Sequence, residues 1–581
     1  MNEILLAKAD VGPLADWAGL YLVLGAFVVV VLALVIAGRG TRGFGITSIA
    51  LRIADSLERL TKVPGWAAAM VGTATFGLLV AGMGFYNDVQ WHVALGRDEV
   101  LFTPPHTAIV IGLQLIAASA ALGIWFATVT KAEVGIKISG LRVPWSALVM
   151  GLIGVSALAG FPLDELWHRQ YGIDVTLWSP THLLMVVGAS VSPMASWLAL
   201  SEARVRPEAG RWAGGIHIAV GSFTLLGLSS VQGEFAFGVP QFQQLYHPVL
   251  VALAAGFALT AVALVVRRWW TPLIVAGIGV LVGAGDRFAE AGNSQPRSAS
   301  LYITAAVGVA LVAKIFGTEK RTRFAVASGL AVATAGLAGE WAWSQGGYQP
   351  WGNALLPEAP ILAAVAAIGA AVIAVAFAGA IRREPGLIGG RAVAVAGIAV
   401  LVALAVPFPR NGSDVTARVD VTEEEGTVAV RAVLDPVDAA DDARWFQLMA
   451  WQGGGFVRAD MKPTGAPGVY ESRGAVPVGG NWKSILRLHR GAELSAIPIW
   501  LPADSEIGAP EVSIVDRTER FVGEQQILLR EQHPGAAWFS YAVYGVLAVV
   551  AAAWVTAFAV TGRLIRRPVD GGIAAGHMAR I

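Results

Sequence analysis

The chain is 581 residues long, 55% hydrophobic and only 14% charged, with a mean hydropathy of +0.61, against roughly 25% charged residues in an ordinary soluble domain. That composition puts the bulk of the chain in lipid, and a formal net charge of +1 gives no field that would draw nucleic acid. Cysteine is absent, which excludes disulfides, thiolate zinc sites, iron–sulfur clusters and cysteine nucleophiles, and leaves His, Asp, Glu and Met as metal ligands.

A bilayer core about 30 Å thick needs about 20 apolar residues per helix, and about thirteen such runs begin near residues 19, 65, 105, 145, 181, 213, 247, 271, 299, 324, 357, 391 and 537. The first lacks a basic leader and an A-x-A site, so it reads as a retained span and not as a signal peptide. Basic clusters fall in alternate connections, from Arg39, Arg42, Arg52, Arg59 and Lys62 through Lys131, Lys137 and Arg142 to Arg563, Arg566 and Arg567. By the positive-inside tendency those connections are cytoplasmic. The expectation is an all-α polytopic protein of a bacterial-type inner membrane, with its N-terminus outside and its C-terminus in the cytoplasm.

Residues 1–64 hold the first span and then Ile46, Ile49, Ile53, Leu57 and Leu60 at helical spacing, with Arg52, Asp55, Glu58 and Arg59 between them; this predicts an amphipathic helix on the inner leaflet. From residue 65 to about 381 the runs pair into five hairpins, with an acid near the outer end of each first helix: Asp88, Asp164, Glu234, Asp286 and Glu340. The first two hairpins occupy 65–210 and carry a duplication, and further spans fill 211–409. Over 410–536 apolar and polar residues alternate, as in TVAVRAVL, between Gly/Pro turns such as GAPG. Period-two alternation predicts an extracytoplasmic β-sandwich. Residues 537–581 return through a last span to a basic tail.

The duplication is the chain's strongest feature. DVQWHVALGRDEVLFTPPH, from Asp88 to His106, and DELWHRQYGIDVTLWSPTH, from Asp164 to His182, align without a gap as D-x-x-W-H-x-x-x-G-x-D-x-x-L-[FW]-[TS]-P-x-H. Asp88 and His92, like Asp164 and His168, stand four apart, which places both on one face of a helix. A loop then brings His106 or His182 to the first turn of the returning helix, behind a proline suited to a helix start. Each hairpin thus offers one carboxylate and two imidazoles, a set that suits copper, iron, zinc or nickel and recurs in oxygen chemistry. Asp98 and Asp174 read as loop caps or as groups that hold a histidine tautomer. The bland alternative is a Trp-His aromatic anchor at the interface with a solvated acid.

The W-H pair followed by RDEVLFTPPH resembles the W-H…R-D-x-x-F-T-P-x-H segment of the C subunit of the particulate methane and ammonia monooxygenases, the membrane copper monooxygenases, over about residues 20 to 210. The resemblance implies copper at Asp88, His92 and His106 and again at Asp164, His168 and His182. It also implies O2 and a small apolar substrate drawn from the bilayer, with partner subunits or a homo-oligomer. The β domain, on PGVYESRGAVPVGGNWKSILRL, weakly resembles YtkA or CopC-like sandwiches. Zinc and iron stay open on ligand type, and copper transport or delivery and a structural or assembly role are the competing functions. Glu234 with His247 reads as a worn third block, His217 as a polar group inside a span, and His489, His533, Met449 and Met461 as weaker candidates in the β domain.

Overall fold

The computed structural model describes residues 17–37, 45–96, 100–172, 176–238, 242–289, 299–346, 350–384, 388–407, 414–441, 443, 445–490, 493–505, 508–528 and 535–566. In lipid the backbone must satisfy its own hydrogen bonds, so apolar runs become helices. They are α1 (Trp17–Ala37), α2 (Ile46–Thr61), α3 (Gly65–Leu95), α4 (Pro104–Val129), α5 (Trp145–Tyr171), α6 (Pro180–Glu202), α7 (Arg211–Ser230), α8 (Tyr246–Val266), α9 (Thr271–Ala289), α10 (Ile303–Phe316), α11 (Arg321–Ala331), α12 (Leu337–Ser344), α13 (Glu358–Ile381) and α14 (Gly390–Ala405). A short hairpin of β1 (Ile136–Ile138) and β2 (Leu141–Val143) joins α4 to α5.

Among the described residues ten helices are long and apolar enough to cross a membrane, with Arg321–Ser344, continuous through α11 and α12, counted as one, and the apolar helices at Thr271–Val282, Ile303–Phe316 and Gly390–Ala405 are shorter. All of them fall where the apolar runs predict. The paired helices lie against each other as hairpins: α3 with α4, α5 with α6, α7 with α8, α9 with α10, and α11 with α13. Carboxylates lock the ends. Glu202, at the end of α6, accepts the Trp145 and Ser146 N–H groups at 2.9 and 2.8 Å, capping α5 with an anion where the helix dipole favours one.

Helix α2 uses its two faces differently from the simple stripe. Ala50 and Ala54 are buried, and a Cβ at Gly65 would stand 2.6 Å from Ala54, so small residues set this close approach to α3. Ile46, Ile49 and Leu60 are left exposed.

The β domain contains β3 (Thr416–Glu424), β4 (Thr427–Asp435), β5 (Trp445–Trp451), β6 (Phe456–Pro463), β7 (Val469–Ser472), β8 (Val476–Pro477), β9 (Lys483–Arg490), β10 (Glu493–Trp500), β11 (Arg517–Arg520) and β12 (Val522–Gly523). Its strands form one ten-stranded antiparallel sheet in the order β11-β3-β4-β7-β6-β5-β9-β10-β12, with β8 beside β4. The predicted sandwich thus takes the form of one continuous, barrel-like sheet. Pairing of β6 with β7 joins the halves, and the sheet closes over one core that includes Val419, Val430, Leu448, Leu486 and Ile497. The turn between β3 and β4 places Glu425 and Gly426 at φ 48° and 75°, the left-handed pair that a tight two-residue hairpin requires.

Strand β5 breaks the alternation rule for a reason. Leu448 and Ala450 enter the β core, while Met449 and Trp451 join a second cluster with Val89 and Val93 of α3 and with Phe237. Both faces are covered, so every residue of WFQLMAW is buried. A short helix α15 (Glu524–Leu528) follows β12, and α16 (Ala537–Leu564) ends the described chain. Buried Arg487 pairs with Glu524 and donates to the Gly238 carbonyl at 2.8 Å, tying the β domain to the loop after α7.

Candidate metal centres

Each duplicated block becomes a helix end, a loop and a helix start. Helices α3 and α5 stop at Gly96 and Gly172, which take φ of 86° and 84°, a backbone that glycine adopts without strain. Helices α4 and α6 start on Thr103 and Ser179, whose hydroxyls accept the His106 and His182 N–H groups at 3.4 and 3.2 Å. Caps at both ends fix the distance between the histidine that closes one helix and the histidine that opens the next.

The six predicted ligands come together as two triads, in each of which one atom per residue lies within 4.8 Å of the others. His92 Nε2 and His106 Nε2 stand 3.6 and 3.1 Å from Asp88 Oδ1. His168 Nε2 and His182 Nε2 stand 3.6 and 3.3 Å from Asp164 Oδ2. The aspartates are the more buried members, 16% and 13% exposed against 21–37% for the imidazoles.

The outer nitrogens decide what the inner ones can do. His92 Nδ1 lies 2.9 Å from the Gly96 carbonyl, His106 Nδ1 2.8 Å from that of Leu101, and His182 Nδ1 2.8 Å from that of Thr176. A carbonyl oxygen only accepts, so these three Nδ1 atoms carry the proton. A neutral ring then aims a bare Nε2 lone pair at a carboxylate oxygen. Two acceptors facing each other need a cation between them, which is either an added proton or a metal ion. Two donors about 2.1 Å from one ion at a tetrahedral angle are about 3.4 Å apart, and at a right angle about 3.0 Å. The observed separations, 3.1 to 3.6 Å, overlap that range and exceed it by about 0.2 Å at most, so the donor set fits a metal.

One difference between the two centres bears directly on the carboxylate. Thr181 donates its hydroxyl to Asp164 Oδ1 at 2.6 Å, and the equivalent residue of the first block is Pro105, which has no donor. Asp164 is therefore held by its non-ligand oxygen and Asp88 is not held in that way. Thr181→Val should weaken metal binding at the second centre by about tenfold, the lower range for loss of a ligand's supporting hydrogen bond, and leave the first unchanged. Competition against a chelator in the single-site variants His92→Ala and His168→Ala measures each centre alone.

The other candidates have different uses. Asp98 and Asp174 lie outside the described residues, and main-chain carbonyls hold the three tautomers instead. The Glu234 carboxylate accepts Leu177 N–H at 3.2 Å and Thr176 Oγ1 at 3.5 Å, so it steadies the loop whose carbonyl orients His182. His247 accepts Trp351 Nε1–H on Nδ1 at 3.1 Å and stacks on Phe235. Among the described residues neither joins a cluster of three His, Asp or Glu. In the β domain Met449 and Met461 sit in separate apolar clusters, His489 packs on Trp445, and His533 is outside the described residues. His217 is buried and bonds the Val205 carbonyl through Nε2 at 2.9 Å.

Sequence reasoning missed the glycines that let the hairpins close. Gly84 and Gly160 stand four residues before the two aspartates. A Cβ on Gly84 would meet Ile109 N at 2.8 Å and Pro105 O at 2.9 Å, and one on Gly160 would meet Met185 Cγ at 2.5 Å and Thr181 O at 3.2 Å. Gly112 and Gly188 make the matching approaches to Ala81 and Ala157. All of these pairs recur at the same interval as Asp88 and Asp164, and extending the alignment in both directions finds them. Comparison of the chain with protein-family models, with curated proteins and with solved structures found no match, so the case for a function rests on the two triads themselves.

Proposed function

We propose that each triad holds one copper ion and that the protein is an O2-activating membrane monooxygenase, or a subunit of one, that hydroxylates a small apolar substrate at the outer membrane face. The observation that carries this reading is the repeated convergence of two imidazole Nε2 atoms on one carboxylate oxygen, with the Nδ1 protons of His92, His106 and His182 already committed to carbonyls. The donor set also admits zinc or iron; the resemblance of the blocks to the copper monooxygenases is what favours copper. Bound copper supplies one-electron redox chemistry with O2. The chain's own part is to orient the imidazoles, to place an anion beside the ion and to exclude water from the helix side of the site. Exposed Leu95, Val100, Leu101 and Phe102 next to the first triad give an apolar molecule a path from lipid.

This reading counts thirteen crossings, including the three shorter helices, and puts both triads and the β domain outside. Support comes from the opposite ends of the helices, where Arg267, Arg321 and Arg382 gather on Glu384, a basic cluster of the kind retained in the cytoplasm. Copper transport or delivery and a structural role are the alternatives.

Metal analysis of the purified protein with EPR tests the proposal. Two coppers per chain with Cu(II) signals, and O2-dependent hydroxylation of a short alkane in the presence of a reductant, are expected. Protein without metal sinks it. A redox-silent ion turns it into a structural site, and copper flux into proteoliposomes turns it into a carrier.

A further inference from the structure

Helix α3 shows two faces at its outer end. Asp88 and His92 face the first centre, while Val89 and Val93, one position on, pack against Met449, Trp451, Phe456 and Ile485 of the β domain. The last carbonyls of a helix run out of partners within it; here the turn between β5 and β6 meets them, adding a second donor to His92 O, which also accepts the capping Gly96 N–H at 3.1 Å. Gln452 Nε2 donates to His92 O at 3.1 Å, Gln452 N–H to Val93 O at 3.0 Å and Gly454 N–H to Ala94 O at 2.9 Å. The Gln452 side chain also lies over Gly96, 3.6 Å from where a Cβ would stand, and Gly96 O is the acceptor that orients the His92 ring. The turn is held in shape by its own domain: a Cβ on Gly453 would fall 2.1 Å from the Trp482 ring. At the second centre the helix end is met elsewhere, by Tyr171 Oη donating to Ala536 O at 2.8 Å.

We infer that Gln452 is a positioning residue for the first metal centre, through which the β domain sets the geometry and affinity of the Asp88, His92 and His106 site and not that of the second. The inference rests on the triads being metal centres. Gln452 touches both the carbonyl of the ligand itself and the residue that fixes its ring, so loosening the turn frees His92 in two ways. Supporting contacts of this kind control metal affinity by about 10–100-fold.

The test uses the full-length protein and Cu(II) titrated against a competing chelator. His168→Ala isolates the first centre and His92→Ala the second. Gln452→Leu keeps the bulk and removes the donor; Gln452→Glu keeps the length and turns an acceptor toward His92 O. Both should lower Cu(II) affinity about tenfold and shift the hyperfine splitting at saturating copper in the His168→Ala background. In the His92→Ala background neither should change anything. Equal affinity and an unchanged signal in both backgrounds overturn the inference, as does an equal loss in both, which marks general loosening. If His168→Ala binds no copper before Gln452 is altered, the metal reading itself has failed.

Discussion

On the proposed function, His92→Ala should abolish copper binding at one triad, His168→Ala at the other, and the double variant should carry none. Each triad supplies three protein donors, and its remaining imidazole is tied through Nδ1 to a carbonyl, His106 to Leu101 and His182 to Thr176, so that ring cannot turn to supply a second donor in place of the lost one. Losing a ligand outright costs more than losing a supporting contact, so affinity at the altered centre should fall by more than about a hundredfold. The fold should survive. His92 and His168 are 37% and 34% exposed, and substitutions outside the core usually change stability by less than about 0.5 kcal/mol. In the metal-free protein the change also removes one partner of a buried carboxylate, and Asp88 and Asp164 retain His106 at 3.1 Å and His182 at 3.3 Å. Copper content and EPR of the three variants decide the matter. Copper that stays in the double variant shows that the triads are not its site, whatever other chemistry the protein performs.

The triads were legible because their spacing rules are local. A separation of four on a helix, and a proline-led helix start after a short loop, specify which side chains meet without any knowledge of how hairpins pack. The helices were legible for the same reason, since apolar length alone decides them. What the sequence hid was everything that depends on contact between distant segments. Strand β5 breaks the alternation that defines a half-buried strand, and only its seat on Val89 and Val93 explains why Met449 is apolar there. Glu234 is an acid near a helix end in the same way as Asp88, and periodicity cannot separate a ligand from a carboxylate that accepts Leu177 N–H across hairpins. The joining of both halves of the β domain into one sheet depends on the pairing of Met461 with Ser472 and of Pro463 with Tyr470, partners that strand propensity does not choose.

On the same proposal, Gly84→Ala should weaken copper binding at the first centre while leaving the second intact, and Gly160→Ala should be better tolerated. Inside a membrane, helices gain little from burying apolar surface against each other, and small residues that allow backbones to approach do much of the joining. At Gly84 an added methyl meets main-chain atoms, Ile109 N at 2.8 Å and Pro105 O at 2.9 Å. Neither can turn away, so α4 must shift outward by roughly 0.5–1 Å, at an overpacking cost of about 1–3 kcal/mol. Pro105 is the residue before His106, so the shift acts directly on a ligand whose Nε2 stands 3.1 Å from Asp88. A centre whose donors must converge within a few tenths of an ångström does not keep its affinity through that displacement. At Gly160 the nearest atom is Met185 Cγ at 2.5 Å, a side-chain atom that moves only if the buried Met185 changes its χ1, and the nearest main-chain atom, Thr181 O, is farther away at 3.2 Å, so the strain falls first on one side chain and not on the backbone of α6. The two glycines occupy the same place in the repeat and differ only in what surrounds them. Copper stoichiometry in the two variants, each read against its own single-site background, measures the difference. Equal retention would mean that hairpin spacing does not set the triads, and an equal loss would mean that the two centres depend on one shared packing and not on their separate hairpins.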